Sequence, residues 1–528
     1  MAGYVMAQLT HVPSLVAAVP LATSLPGVIF ALPAGAVADA TDRRLVLLSA
    51  KTLFLIGTLG LAALAALGGL SPFGLLVFSA ILGTMATLSA PAWWAVLGDL
   101  VPERLLSRAL SLDGLQWNIG QMIGPVLGGL LLATVGAGAM FAVAGALMAS
   151  VVCFLVVWRG RHTVRLSTPG QGAAERMLGA TAAGVRYLAN APALQVACWR
   201  TFLFVLPAGA LGALLPLLAS RDLGVGALGY GLLLAAVGAG SVAGALVLPR
   251  LADRFHLDRM VGAASVVSGG CTVVLVLVHE LLVAGVALAG TGAAWLVAVT
   301  ALNLGAREAV PSWVVSRALG AYLMVFQASI VVGAVVWGGI ADAIGVRYTL
   351  LIAAGVFLPG LLVVPWFGLP IIDRRDMKVV PRPYPDVIVE PEADDGPLMV
   401  LVDYEVAPED HQEFIEVMEE LRVVRRRTGG SRWSLFEDLG KPGRFVEWFV
   451  VPSWGGYLLQ RDRYTAADLR IYDAAVALDA LADGPVVSYF IHPESALAYR
   501  RQVRWQRLRG VDRALMAAAA SRLPPSPG

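Results

Sequence analysis

Charge is distributed along this chain so unevenly that its two parts need different solvents. Of its 76 Asp, Glu, Lys and Arg residues, only 30 (18 basic, 12 acidic) lie in residues 1–370, and 46 (21 basic, 25 acidic) lie in the last 158. A surface that poor in charge is solvated by lipid, whereas the remainder carries charge enough for water. A hydrophobic fraction of 58% and a mean hydropathy of +0.73 agree with a polytopic membrane chain. The formal net charge of +2 averages over the asymmetry and excludes nothing. Cys153, Cys198 and Cys271 fall in apolar stretches without paired spacing, so neither a disulfide framework nor a metal site is expected, and no cofactor. No basic region precedes the apolar start, so no cleavable signal peptide is expected.

A membrane-spanning helix needs roughly 20 mostly apolar residues. Eleven stretches qualify: 13–37, 45–69, 73–97, 110–133, 134–157, 196–219, 226–249, 260–278, 281–302, 318–340 and 348–369. A longer junction, 159–192, with Arg159, Arg161, Arg165, Glu175, Arg176 and Arg186, separates a front bundle (1–158) from a rear bundle (193–370). If residues 38–44 face the cytoplasm, alternation puts sixteen of the eighteen basic residues on that face and leaves only Arg221 and Arg347 outside. That bias orients the array, and it sends the charged C-terminal part into the cytoplasm. Residues 1–9 are apolar but cover only about half a bilayer at ~1.5 Å per residue. They read either as a surface-bound lead-in or as the tail of a first helix whose beginning is missing; the second reading makes six plus six.

Internal similarity points the same way. The turn GAVADATDRR, with Gly35, Asp39, Asp42, Arg43 and Arg44, recurs loosely as PRLADRFHLDR (Asp253, Asp258, Arg259) and as GGIADAIGVR (Gly339, Asp342, Gly345, Arg347). Glycine permits close helix approach, an acid can meet a helix N-terminus, and Arg can anchor a turn at the headgroups. Repeated halves around a midplane cavity mark secondary transporters. In GQMIGPVLGG, Gly120, Gly124, Pro125, Gly128 and Gly129 build a helix that is either a bendable gate element or simply a tightly packed one, with small-xxx-small spacing at Gly124 and Gly128.

GAVADATDRR resembles the cytoplasmic loop signature of the major facilitator superfamily, and GQMIGPVLGGLLL resembles its fifth-helix motif, found often in proton-coupled exporters. With SLPGVIFALPAGAVAD, ALSLDGLQWNIGQMIGP and VPSWVVSRALGAYLMVFQASIVVGAVVWGGIAD, residues 1–370 resemble the enterobactin exporter and its transmembrane secretion effector relatives. The resemblance implies an all-α bundle of 6+6 helices, here with the first truncated, and alternating access. It also implies outward movement of small amphipathic molecules against proton entry. The second-half copy of the loop signature is degenerate, and Asp42 stands where the wider superfamily usually has Gly.

Protonatable groups inside the bundle are few. Asp113 is the first candidate for proton coupling, with an inner-face pairing to Arg108 or Arg104 as the alternative; Asp99 is the second. Gln116, Asn118, Gln121, Asn303 and Gln327 are candidate cavity residues, as are Trp93, Trp94, Trp117 and Trp295, although Trp equally anchors interfaces. Arg200, near an inner end, is expected to snorkel. So few charges favour a lipophilic or neutral cargo.

Residues 371–397 read as a Pro-rich acidic linker. In 398–495, LMVLVDYEV alternates as a strand, 408–427 has helix spacing, RWSLFEDL and RFVEWFVV form a hairpin around 440–443, 453–481 is helical, and VVSYFIH closes as a strand. The order βαββαβ predicts a ferredoxin-like α+β domain. This stretch resembles the C-terminal extension of some exporters of the same subfamily and, more distantly, the dimeric α/β barrel monooxygenases of antibiotic biosynthesis. His411, Trp433, Trp448 and His492 define no catalytic constellation, with His411 on an exposed turn, so dimerisation or cargo sensing is expected rather than catalysis. Residues 496–528 form a basic amphipathic tail suited to a membrane surface, and no nucleic-acid-recognition module is present. The expected protein is a non-enzymatic, multi-pass efflux transporter of the cell membrane whose partners are lipid, small-molecule cargo and protons. A membrane-anchored ligand-binding regulator and an uptake permease are the alternatives.

Overall fold

The computed structural model describes residues 1–40, 42–157, 184, 186–311, 313–362, 368–369, 376–380, 382–385, 387–388, 391–481 and 484–491. The chain forms two compact units. The first comprises 1–185, 192–309 and 316–371, and the second comprises 186–191, 310–315 and 372–528.

Among the described residues the first unit holds twelve helices: α1 (Ala2–Leu9), α2 (Pro13–Ala40), α3 (Arg43–Ala66), α4 (Pro72–Leu100), α5 (Glu103–Thr134), α6 (Gly136–Val157), α7 (Pro192–Leu217), α8 (Ala227–Arg254), α9 (Leu257–Leu277), α10 (Leu281–Glu308), α11 (Val315–Ile344) and α12 (Val346–Leu362). Nine are long and apolar enough to cross a bilayer, against the eleven expected. The two that fall short are α5 and α12. Asp113, Gln116, Asn118 and Gln121 interrupt the apolar run expected in α5, and the described apolar run of α12 is only Val346–Leu358.

The two halves repeat their construction. Gly136 between α5 and α6 and Gly345 between α11 and α12 both adopt a φ of 87°, where a side chain would be strained, so each pair of helices reverses on one glycine. Arg44, in the first turn of α3, donates to the carbonyls of Leu155 (2.9 Å) and Val156 (2.8 Å) at the end of α6. Arg347, in the first turn of α12, donates to Val276 O (2.9 Å) at the end of α9. Each guanidinium thus covers the negative end of an antiparallel neighbour. Arg44, expected to anchor its turn, thus also ties α3 to α6. Small residues let backbones touch elsewhere: a Cβ on Gly240 of α8 would overlap the Ala289 carbonyl of α10, and one on Gly292 would overlap Val237 O.

The second unit contains a four-stranded antiparallel sheet in the order β2–β3–β1–β4, from β1 (Leu398–Glu405), β2 (Ser431–Glu437), β3 (Arg444–Val451) and β4 (Val486–Ile491). Its helices are α13 (His411–Thr428), α14 (Trp454–Arg461) and α15 (Ala466–Ala477). This is the expected βαββαβ arrangement. Alternation along β1 and β3 buries Leu398, Val400, Val402, Phe445, Phe449 and Val451 against Phe414, Met418 and Leu421 of α13. The helical stretch expected over 453–481 is two helices, because Thr465 and Asp468 form a capping box that starts α15 afresh. Described parts of 376–397 run along the domain: Val380 N donates to Tyr464 O (2.8 Å), Gly455 N to Ala393 O (2.8 Å) and Trp454 N to Asp395 O (2.8 Å). The junction 158–183 and the tail 496–528 lie outside the described residues.

One charged pair sits inside this core. Glu447 is 0% exposed and accepts from Arg425 Nε (2.8 Å) and Nη2 (2.9 Å) and from Trp433 Nε1 (2.8 Å). Burial alone would lower the Arg425 pKa, but the adjoining Glu447 carboxylate raises it well above the usual value. Removing one partner strands the other charge. Glu447→Ala is therefore expected to destabilise the domain by about 3–5 kcal/mol, read as trypsin cleavage of residues 398–491 in the purified full-length protein under conditions where wild type resists. Unchanged resistance would contradict it.

Candidate functional site: a bundle closed on one face

α1 and α2 meet α7, α8 and α11 at the face carrying residues 10–12, 218–226 and 345. Tyr4 of α1 stacks on Tyr230 of α8 (ring centroids 4.9 Å) and donates to Val225 O (3.1 Å). Arg221, in the turn after α7, donates to His11 Nδ1 (2.8 Å) and His11 O (2.9 Å). Asp342 of α11 accepts from Ser14 N (3.0 Å) at the start of α2, where the helix dipole favours an anion. Beside it, a Cβ on Gly338 would lie 2.9 Å from Ala17 Cβ and 3.6 Å from Ser14 Cβ.

The seal continues towards the middle through α5 and α8. A Cβ on Gly129 would lie 2.6 Å from Ala227 O, one on Gly231 2.6 Å from Pro125 O, and one on Gly238 2.7 Å from Met122 Cα. Gly238 is about 17 Å along α8 from its start, roughly half of a bilayer core of ~30 Å. At mid-height Gly27 of α2 abuts Gln327 of α11. Among contacts between described residues, every hydrogen bond and glycine approach joining the two halves lies between this face and the middle. Among the described residues, the contacts that close the bundle lie on this one side.

The fifth-helix motif supplies this seal with a different register from the expected one. Met122, Pro125 and Gly129, at i, i+3 and i+7, form the contacting stripe. Gly120 and Gly124 turn away with nothing near them, and Gly128 meets the side chain of Met1. Of the small-xxx-small pair, Gly128 makes a close contact, with Met1 of its own half, and Gly124 makes none.

Of the loop signature, Asp42 caps α3 by accepting from Arg44 N (2.8 Å), while the surroundings of Gly35 and the side chains of Asp39 and Arg43 lie outside the described ones. The degenerate rear copy does related work. Asp258 in the first turn of α9 accepts from Leu369 N (2.9 Å) and pairs with Arg200 of α7 at 3.2 Å. Arg200 is only 3% exposed. The snorkelling expectation for it is thus corrected: a carboxylate within reach holds the guanidinium inside the protein.

Beyond the midplane from this seal, Asp113 lies ten residues into α5 and accepts from Trp93 Nε1 of α4 at 3.0 Å. Gln116 and Gln121 are exposed on the same helix. Asn303 donates to Val299 O within α10 (2.8 Å), and Trp295 packs among Phe204 and Phe326. The side chains of Asp99, Asn118, Trp94 and Trp117 lie outside the described ones. A separate apolar groove of 380 Å³ runs between α9 and α12; among the described residues its walls make none of the contacts joining the halves. The latch residues Tyr4, His11, Ser14 and Tyr230 carry no signal in the sequence, and Arg221 reads there only as a basic residue on the outer face, because nothing marks their partners hundreds of positions away.

In the second unit His411 is half-buried, not on an exposed turn: its ring meets Phe445 edge-on (5.1 Å) and its Nε2 lies 3.3 Å from Val406 O. Trp433 is engaged by Glu447, and His492 lies outside the described residues. Among the described residues no group of three His, Cys, Asp or Glu is placed to hold a metal.

Known proteins match this architecture. The chain is 27% identical over 190 residues to the multidrug efflux pump Tap of Mycolicibacterium fortuitum, a match covering 34% of this chain and 44% of that pump. Its fold matches the nucleoside transporter NupG with a TM-score of 0.57 at 14% identity, over 70% of this chain and 94% of that one. It also matches a bacterial homologue of the human lysosomal transporter Spinster, in an inward-facing and occupied conformation, with a TM-score of 0.54 at 14% identity, over 69% of this chain and 91% of that one. The model of the transmembrane secretion effector family matches residues 1–497, and the chain accordingly belongs to that family of major facilitator transporters, a multi-pass membrane protein.

Proposed function

We propose that this transporter exports small lipophilic or amphipathic molecules, drug- or siderophore-like, across the cell membrane in exchange for protons. The carrying observation is the asymmetry of the bundle. Contacts between its halves fill one side, while the Asp113–Trp93 pair lies beyond them on the other. The basic-residue bias supports placing the open side and the C-terminal domain in the cytoplasm, so cargo enters from within and the closed face is the extracellular gate. Asp113 carries the proton, and its neutralisation and ionisation alternate with cargo occupancy. Similarity to a multidrug efflux pump supports the outward direction.

The sheet of the C-terminal domain leaves Phe436, Val486 and Phe490 exposed on one side. A second copy of the domain is the proposed cover, which makes the transporter a homodimer.

The test is efflux from cells preloaded with a fluorescent amphipathic cation. Expression should speed dye loss, and a protonophore should abolish the difference. Faster dye entry would favour an uptake permease. No flux, with ligand binding retained by the C-terminal domain, would favour a membrane-anchored regulator.

A further inference from the structure

Tyr187 and Trp313 belong to the second unit, yet in the chain they precede two helices of the bundle: Tyr187 stands five residues before α7, and Trp313 two residues before α11. Within the second unit their rings meet edge to face at 5.9 Å. Two arginines of the C-terminal domain lie over them. Arg463 Cζ is 4.6 Å from the Trp313 ring centre, and Arg427 Cζ is 5.9 Å from that of Tyr187. Both cations are held in place. Arg463 donates to Thr428 O (3.0 Å), and Arg427 pairs with Asp468, the residue that completes the cap of α15. Tyr187 is 1% exposed, and burial pushes its phenol up to about 12, with Arg427 pulling it down and Asp468 up, so the ring stays neutral. Cations over desolvated aromatic faces are attracted more strongly than exposed ones.

α7 and α11 themselves are tied together. Thr201 Oγ1 donates to Tyr322 Oη (3.0 Å), and Trp337 Nε1 donates to Leu206 O (2.7 Å). Their far ends supply Arg221 and Asp342, the residues that close the extracellular face on His11 and Ser14. We propose that the C-terminal domain is a conformational brake. Through Arg427 and Arg463 it holds the segments leading into α7 and α11, and so stabilises the state closed on the extracellular face. This rests on the alternating-access reading above. The two helices move as a pair, so freeing their entry segments releases both latch residues together.

The test uses the full chain with Cys153, Cys198 and Cys271 replaced by alanine and Ala17→Cys added as a probe. Ala17 is 0% exposed in the closed state. A membrane-impermeant maleimide applied outside intact cells labels the probe only when the extracellular face opens. Trp313→Leu and Arg463→Gln should each raise the labelling rate by about 3- to 10-fold, while Trp313→Phe, which keeps an aromatic face, stays near wild type. Asp342→Ala serves as the control for the latch. Labelling that rises in Asp342→Ala but not in Trp313→Leu or Arg463→Gln would overturn the brake and leave the gate assignment standing. No rise in any variant would overturn the gate assignment itself. Equal rises in Trp313→Phe and Trp313→Leu would show that packing volume, not the cation over the ring, is at work, and would also overturn it. If Trp313→Leu fails to accumulate, Arg463→Gln decides, since it leaves the aromatic pair in place.

Discussion

Oxidising a cysteine-free background that carries Ser14→Cys and Gly338→Cys should stop transport completely, and a thiol reductant should restore it. The Cβ position at Gly338 lies 3.6 Å from Ser14 Cβ, within the ~3.5–4.5 Å that a disulfide requires. The same Cβ would fall 2.9 Å from Ala17 Cβ and 3.0 Å from Ser14 Cα; Ala17→Gly belongs in the variant to relieve the first contact, and a shift of a few tenths of an ångström between the helices relieves the second. The bridge joins the start of α2 to the end of α11 at the closed face. A transporter that must open this face once per cycle cannot turn over with the two helices bonded. Reduced protein should transport as the background does, which separates the lock from any effect of the substitutions. Transport that survives quantitative oxidation would mean that this face does not open during the cycle.

A comparably large effect is expected from Asp113→Asn. The amide oxygen can still accept from Trp93 Nε1, so packing is preserved while the ionisable group is lost. Gradient-driven cargo accumulation should fall to the level of membranes lacking the protein. Exchange of labelled for unlabelled cargo without a gradient should persist, because it needs the bundle to rock but no proton to move. Loss of both activities would indicate that Asp113 is structural; retention of both would remove it from coupling.

Much of this architecture is legible in the sequence because it rests on bulk properties and local periodicity. The charge count alone separates lipid-solvated from water-solvated chain, and the period-2 run of residues 398–405 and the helical spacing of 411–428 suffice for the α+β domain. The pairings that shape the candidate site are not legible in this way. Arg221 with His11, Asp342 with Ser14 and Arg200 with Asp258 join residues 58 to 328 positions apart, and an Arg or Asp at a helix end reads alike whether its partner is a headgroup or a neighbouring helix. The glycines of α5 illustrate a finer limit. Spacing announces close packing but not which stripe faces the neighbour, and a rotation of about 100° per residue moves the contact from Gly124 to Pro125 and Gly129. Residues 376–397 look free because Pro and acids dominate, yet backbone hydrogen bonds, which composition does not encode, bind their described parts to the domain.

The most direct measurement is cargo movement in inverted membrane vesicles containing this protein. There the cytoplasmic face is outside, and an imposed gradient, acidic within, drives protons towards that face. A fluorescent amphipathic cation should accumulate inside the vesicles when the gradient is applied, leak out when a protonophore dissipates it, and fail to accumulate with Asp113→Asn. Accumulation that is indifferent to the gradient, or net movement out of the vesicles when it is applied, would contradict proton-coupled export.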